Sequence, residues 1–368
     1  MKILFFANTS WNLYNFRFHL IETLVSDGHD VHLISPQDEF THFLTDAGFQ
    51  WQRFQISRKG MNLLEEIKTL REVKEVYSQI RPDIVFNFTP KCVLYGSIIA
   101  RILKIPKIVN TISGLGYLFS GPKMRLPVVR EIIRTFYRFS LFGSQVIFQN
   151  PEDMKEFLDR RVIRKAQAFL VRGSGVDINR FVPTPEREGV PIVVLPSRLI
   201  KEKGAFEFVQ AVRLLKGRNV TARFVLVGQI DYENPSAISK KQINSWVEEG
   251  VVEWWGWRSD MDNVYQLSRI VCLPSYYREG TPKTLIEAAA CGKAIVAGNI
   301  PGCREIVRNN QNGILVESGN IKQLADAIQK LLGDKELRIQ MGLTGRQFVE
   351  NEFQNLLITS EIKQVAGL

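Results

Sequence analysis

Glu279 and Glu287 stand with seven residues between them in Arg278-Glu279-Gly280-Thr281-Pro282-Lys283-Thr284-Leu285-Ile286-Glu287, which runs on to Cys291-Gly292. Carboxylates accept hydrogen bonds from hydroxyls, and the free N–H groups of a helix's first turn receive an anion. The pattern predicts such a helix, with Thr281 as N-cap, Pro282 at the first helical position and Gly292 as the stop. The apolar run 270–274 before it predicts a short buried strand. Glu279, Gly280, Thr281, Thr284, Leu285 and Glu287 then gather where a strand hands over to a helix. The ligand they suit is part phosphate and part polyol, which describes a nucleotide sugar. The plainer alternative is a solvated loop acid and a helix-surface acid. Against it, Glu287 sits in a run too apolar for an ordinary exposed face, and a buried acid needs a partner.

Two cations follow the same logic earlier in the chain. The strand-like run 191–197 delivers Arg198 to a loop, and Lys203-Gly204 opens the next helix. A pair of cations at a strand-to-helix turn can grip a diphosphate and offset charge growing on a leaving group. Gly114 and Gly116, after the strand-like run 107–110, would let backbone amides approach a ligand closely. A plain turn is the other reading of those two glycines. Arg17 reads either as a surface arginine at a helix start or as a cation reaching an acceptor phosphate. Asp260 and Asp262 have D-x-D spacing, but the pattern of 264–268 makes Asp260 a helix cap. No metal-ligand cluster is expected, and neither metal nor cofactor is assigned.

The E-x7-E spacing followed by Ala288-x-x-x-Gly292 resembles the motif of retaining GT-B glycosyltransferases of family 4. The resemblance covers nearly the whole chain. It implies that Glu279 contacts the donor sugar and Glu287 the ribose, with Arg198 and Lys203 on the diphosphate. It also implies that the backbone after Trp254-Trp255-Gly256-Trp257 meets the nucleotide base. Gly173-x-Gly175-Val176-Asp177 with Phe181 resembles the family's hinge segment, and 351–365 its closing helix. The run 114–119, Gly-Leu-Gly-Tyr-Leu-Phe, resembles a branch of N-acetylgalactosaminyl or hexosyl transferases acting on polyprenyl-diphosphate-linked oligosaccharides. Many members carry a histidine near that point, where this chain has Thr111 and Ser113.

The elements that must position these residues are legible as alternation. Strands are expected at 3–7, 29–35, 84–87 and 107–110, with helices at 16–27, 38–47, 63–80 and 93–103. That order implies a doubly wound parallel sheet with ligands at the strand C-termini. The first turn, 8–12, has no glycine, which counts against a dinucleotide-binding dehydrogenase. A polar, proline-bearing stretch at 183–189 suggests the domain boundary. The expected organisation is an α/β fold of the GT-B kind, two Rossmann-like domains facing across a cleft. The acceptor-binding domain is 1–185, the nucleotide-sugar domain 186–350, and 351–368 a helix packing back on the first.

The chain carries a net charge of +10 over 368 residues. Residues 1–180 hold 25 Lys and Arg against 17 Asp and Glu, so the excess lies mostly in the first half. Such a half wants an acidic partner, and no nucleic-acid module is recognisable. Within 123–142, Arg130, Arg134 and Arg138 step by four among bulky apolar residues, the pattern of an interfacial helix on a membrane surface. A core-packed helix with solvated arginines is the other reading. Four scattered cysteines lack C-x-x-C spacing and read as free thiols. Neither a signal-peptide pattern nor an apolar run of membrane-spanning length is seen. The expectation is a cytoplasmic, peripheral, metal-independent retaining transferase. It would move a hexose or N-acetylhexosamine from a UDP-sugar to a polyprenyl-diphosphate-linked saccharide in O-antigen, capsule or glycan assembly. A UDP-sugar epimerase of the same fold, or a non-catalytic nucleotide-sugar-binding protein, are the alternatives.

Overall fold

The computed structural model describes residues 1–56, 63–114 and 127–368, except the side chains of 63–64 and 127–130. The chain forms two compact units: Met1–Ser174 with Asn355–Leu368, and Gly175–Gln354. The division falls ahead of the proline-bearing stretch at 183–189, and the last residues belong to the first unit.

In the first unit, β1 (Lys2–Phe6), α1 (Ser10–Ser26), β2 (Asp30–Ser35), α2 (Thr41–Asp46) and β3 (Gln50–Arg53) lead to α3 (Leu63–Ile80). There follow β4 (Ile84–Phe88), α4 (Pro90–Ile102), β5 (Lys107–Ile112), α5 (Pro127–Leu141), β6 (Gln145–Phe148), α6 (Pro151–Asp159) and β7 (Ala168–Leu170). The strand order is β3-β2-β1-β4-β5-β6-β7, and every pairing is parallel. Order reverses between β1 and β4, as a doubly wound sheet requires. Alternate residues feed cores on the two faces: Ile3 and Phe5 join one, Leu4 and Phe6 the other. The helix Asn355–Ala366 adds Ile358, Ile362, Val365 and Ala366 to the first of these cores, beside Leu20, Ile21 and Leu24.

The helix α1 starts earlier than its apolar period suggested, because the Thr9 hydroxyl accepts from the Asn12 N–H at 3.1 Å. Arg17 is therefore inside the helix rather than at its start. The helix α5 departs from the core-packed alternative, since its apolar stripe is not turned inward. Tyr137 and Leu141 are buried, while Ile132, Phe136, Phe139 and Phe142 are all more than half exposed. Arg134 pairs with Glu131 at 2.8 Å, and Arg138 donates to the carbonyls of Arg160 and Arg161. Two of the three stepped arginines are thus tied to protein, and the apolar stripe faces out. Among the described residues no helix is long and apolar enough to cross a membrane.

The second unit runs β8 (Ile192–Pro196), α7 (Ala205–Gly217), β9 (Arg223–Val227), α8 (Lys240–Glu248), β10 (Glu253–Trp254) and α9 (Met261–Leu267). It continues through β11 (Ile270–Leu273), α10 (Lys283–Ala290), β12 (Ala294–Gly298), α11 (Pro301–Ile306), β13 (Gly313–Val316), α12 (Ile321–Gly333) and α13 (Lys335–Glu352). The sheet order is β10-β9-β8-β11-β12-β13, again all parallel, with the reversal between β8 and β11. All four cysteines are buried and free, and burial raises their thiol pKa values, that of Cys92 to about 12.

Inside the first unit a polar network crosses an otherwise apolar core. The Tyr77 hydroxyl donates to Asn87 Oδ1, Asn87 Nδ2 to Asn110 Oδ1, and Asn110 Nδ2 to Ser144 Oγ, all at about 3 Å. Ser97 Oγ also donates to Asn110 Oδ1, at 2.8 Å. Asn110 is the hub, accepting from Asn87 and Ser97 and donating to Ser144, so its loss strands several groups at once. Asn110→Ala should cost about 3 kcal/mol or more of stability, and Tyr77→Phe only about 1 kcal/mol. Urea midpoints of the two variants would check this; equal shifts would show that the network is not shared.

Candidate active site

In the second unit, β8 ends at Pro196 and the loop Ser197–Gly204 carries the two cations across the C-terminal edge of the sheet. That loop is bolted to the one after β11. The Glu202 carbonyl accepts from the Tyr276 N–H and the Ser275 hydroxyl. Gly204, at φ +83°, starts α7 so close to Pro274 that a Cβ would sit 2.4 Å from the Pro274 carbonyl oxygen. On the other side, α11 enters against the loop before α10: a Cβ on Gly302 would lie 2.0 Å from the Gly280 carbonyl. Backbone approaches of this kind leave the residues between them little freedom.

Lys203 Nζ and Glu279 Oε2 form an ion pair in the space so defined. Both side chains are largely buried, at 12% and 14% exposure. The other oxygen, Oε1 of Glu279, is buried and has no hydrogen-bond partner. The site thus holds an anchored carboxylate with one acceptor position open. Arg198 projects from the same loop and donates to Asp231 at 2.8 Å. A guanidinium has five donors, so this tether orients Arg198 and leaves others for a phosphate.

The helix α10 begins one residue later than expected: Pro282 occupies the N-cap position, and Thr281 before it is buried. Gly292, at φ +64°, follows its end as the expected stop. Leu285 is a core side chain whose N–H already bonds to the Pro282 carbonyl at 3.1 Å, while Thr284 is half-buried. Glu287 is buried, as its apolar surroundings implied. Its Oε2 accepts from the Tyr265 hydroxyl at 3.0 Å, and Lys283 Nζ lies 4.0 Å from Oε1. Burial raises the Glu287 pKa, opposed by Lys283 and the Tyr265 hydrogen bond.

Trp257 is 43% exposed. The segment before it is pinned to the end of β9: the Gly228 N–H donates to the Gly256 carbonyl, and Trp254 Nε1 to the Gly228 carbonyl. Asp260 occupies the N-cap position of α9 without capping it. Its carboxylate instead takes a two-pronged contact from Arg258, which holds its pKa well below the usual carboxylate range. Asp262 pairs with Arg180 at 3.1 Å. Among the described residues no group of three or more His, Cys, Asp or Glu is placed to hold a metal. Gly114 lies in the first unit just after β5, at φ +107°, and Gly116 falls outside the described residues.

Sequence reasoning missed the partners of these residues. Asp231 and Tyr265 carry no local signature, since what recommends them is only the residue they meet in space. Lys283 stood in the motif but suggested nothing until its distance from Glu287 was known.

Comparisons with known proteins point the same way. A family model described as glycosyl transferases group 1 matches residues 178–348, and one described as glycosyl transferase 4-like matches 2–170. An N,N'-diacetylbacillosaminyl-diphospho-undecaprenol alpha-1,3-N-acetylgalactosaminyltransferase of Campylobacter jejuni is 30% identical, over 99% of this chain and 98% of that protein. A UDP-Gal:alpha-D-GlcNAc-diphosphoundecaprenol alpha-1,3-galactosyltransferase of Escherichia coli is 24% identical, over 94% of this chain and 90% of that protein. The crystal structure of Anabaena HepE with UDP and glucose superposes with a TM-score of 0.80 at 20% identity, covering 100% of this chain and 99% of that one. At that identity the last likeness speaks for the fold alone.

The buried pair makes a prediction about coupling. Removing one member leaves an uncompensated charge, so Lys203→Ala and Glu279→Ala should each cost ~3 kcal/mol of stability. The double variant should cost little more than either single one. Additive losses in a denaturation cycle would show that the two side chains do not depend on each other.

Proposed function

The chain belongs to the group 1 glycosyltransferases, in the GT-B fold class, and we propose that this glycosyltransferase uses a UDP-sugar donor and retains the anomeric configuration. The observation that carries the reading is the Lys203–Glu279 pair with Glu279 Oε1 left open. The carboxylate takes a hydroxyl of the donor sugar, while Lys203 and Arg198 take the diphosphate. Glu287, anchored two turns into α10, takes ribose hydroxyls, and the pinned backbone at Gly256 and Trp257 takes the base. Thr281, Gly280 and Thr284 line the turn between them.

Glu279 is the only acid assigned to the sugar, so the paired carboxylates of a double displacement are not invoked. The bond from the anomeric carbon to the diphosphate oxygen breaks as the bond to the acceptor hydroxyl forms on the same face. The acceptor proton passes to the departing diphosphate, whose growing charge Lys203 and Arg198 stabilise. No metal is required in this scheme. The acceptor is a polyprenyl-diphosphate-linked saccharide of surface-glycan assembly. The support is that the Campylobacter and Escherichia relatives are both named for transfer to diphospho-undecaprenol sugars.

A lipid-linked acceptor places the enzyme at a membrane surface, on the cytoplasmic face, where α5 is the contact. The exposed stripe of Ile132, Phe136, Phe139 and Phe142 supplies interfacial anchors. Arg101 stacks over Phe139 at 5.0 Å and Arg164 over Phe142 at 5.8 Å, so cations flank the ring faces. This assigns the membrane contact to the apolar face rather than to Arg134 and Arg138.

A donor screen reading UDP release, with and without a short-chain diphosphate-linked sugar, tests the core of the proposal. Glu279→Ala should lower kcat by roughly 10²-fold, and Glu287→Ala should mainly raise the donor KM. The reverse pattern, or epimerised donor in place of transferred sugar, would overturn the assignments. For the membrane contact, Phe136→Ser/Phe139→Ser should lose binding to anionic liposomes yet keep activity on a short-chain acceptor. Unchanged liposome binding would remove α5 from the account.

A further inference from the structure

Arg17 is a cation in the wrong solvent. It is 4% exposed, in the middle of α1, and Nε is buried with no hydrogen-bond partner. Among the described residues no carboxylate pairs with it, and burial alone lowers its pKa, to about 10. It therefore stays charged at neutral pH. A buried charge of this kind is unfavourable unless something completes it. What the fold does supply is a flat support: the guanidinium lies 4.4 Å over the ring of Phe88. Stacking uses the face of the group and leaves its edge, where the paired N–H donors are, for an oxyanion.

The setting favours the same ligand. Phe88 is the last residue of β4, so Arg17 sits at the C-terminal edge of the first unit's sheet, where doubly wound folds bind ligands. The next residue, Thr89, is the N-cap of the 13-residue α4, and its side chain caps no N–H of that helix. The α4 dipole adds to the attraction for negative charge. The nearby acid Glu66 is already engaged, by Lys91 at 2.6 Å and by the Tyr95 hydroxyl.

We infer that Arg17, stacked on Phe88 beside the uncapped start of α4, is a binding residue for a phosphate-type oxyanion, namely the diphosphate of the acceptor. The inference rests on the acceptor reading given above. It explains why an unpaired guanidinium is kept where leucine or methionine would pack.

Arg17→Met keeps the bulk and removes the charge, whereas Arg17→Lys keeps the charge without the fork. In transfer to a short-chain diphosphate-linked sugar, the Met variant should raise the acceptor KM at least about tenfold, the scale of one lost charged contact. The donor KM should stay within about twofold, and the Lys variant should fall between. Thermal unfolding of the Met variant should match or exceed wild type, because the isolated charge is gone. An acceptor KM within about twofold of wild type, or a parallel rise in donor KM, would overturn the inference. If Arg17→Met fails to fold, Arg17→Lys decides by the same criterion. Should wild type transfer sugar to no diphosphate-linked acceptor, the acceptor reading itself falls. Arg17 is then judged by calorimetry of inorganic diphosphate binding to the UDP-saturated protein: binding weakened at least tenfold in Arg17→Met supports it, and unchanged binding overturns it.

Discussion

The Lys203–Glu279 pair is the interaction on which the second unit's chemistry depends. It joins the loop after β8 to the loop after β11, the two strands between which the sheet reverses its order. A parallel sheet splays its connections to opposite faces at such a point, and the crevice left there binds ligands. Two glycines, Gly204 and Gly302, admit the close backbone approaches that bring the loops together. The pair then fills the crevice with opposite charges. One carboxylate oxygen is consumed in holding the lysine, and the second is left as an acceptor inside a largely dry site. Desolvation makes that acceptor costly to leave unused and strong once used.

Glu287 shows the complementary solution. It is buried on a helix among alanines and core leucines, and its charge is moderated rather than neutralised. Tyr265 and Lys283 are enough to hold its orientation while burial keeps its pKa high. The two acids of one motif therefore occupy different electrostatic environments. Glu279 is a partner in an ion pair, whereas Glu287 is a desolvated acid held by the Tyr265 hydroxyl.

The β/α order and the Glu and Arg/Lys motifs were legible because they rest on local period and on fixed spacings, whereas the strand order, with its reversal points, came only with the fold. What escaped was tertiary. The strand β3, Gln-Trp-Gln-Arg, is mostly exposed at a sheet edge, so it lacks the apolar alternation that marks β1 or β4. The start of α1 was hidden in a polar run whose signal was only the Thr9 cap. For α5, a periodicity argument places arginines on one side and phenylalanines on another, but it cannot say which side meets the protein. The carbonyls at the end of α6 settled it by taking Arg138. Asp260 likewise stood at a cap position, but the stronger two-pronged contact with Arg258 drew its carboxylate away. In each case a partner distant in sequence, or the missing neighbour of an edge strand, decided the outcome.

The return of the chain's last helix to the first unit bears on the order of events during synthesis. Residues Gly175–Gln354 are contiguous and leave the ribosome as a complete folding unit. The first unit, although made earlier, is missing Ile358, Ile362, Val365 and Ala366 until the chain has grown past Gln354. Until then the core around Leu20, Ile21 and Leu24 lacks part of its cover, and the Asp27 carboxylate lacks Lys363, which it later meets at 2.6 Å. Every residue of the second unit therefore precedes in the chain those that close the first. A chain cut after Gln354 would keep every residue of the second unit and leave the first open and prone to aggregate.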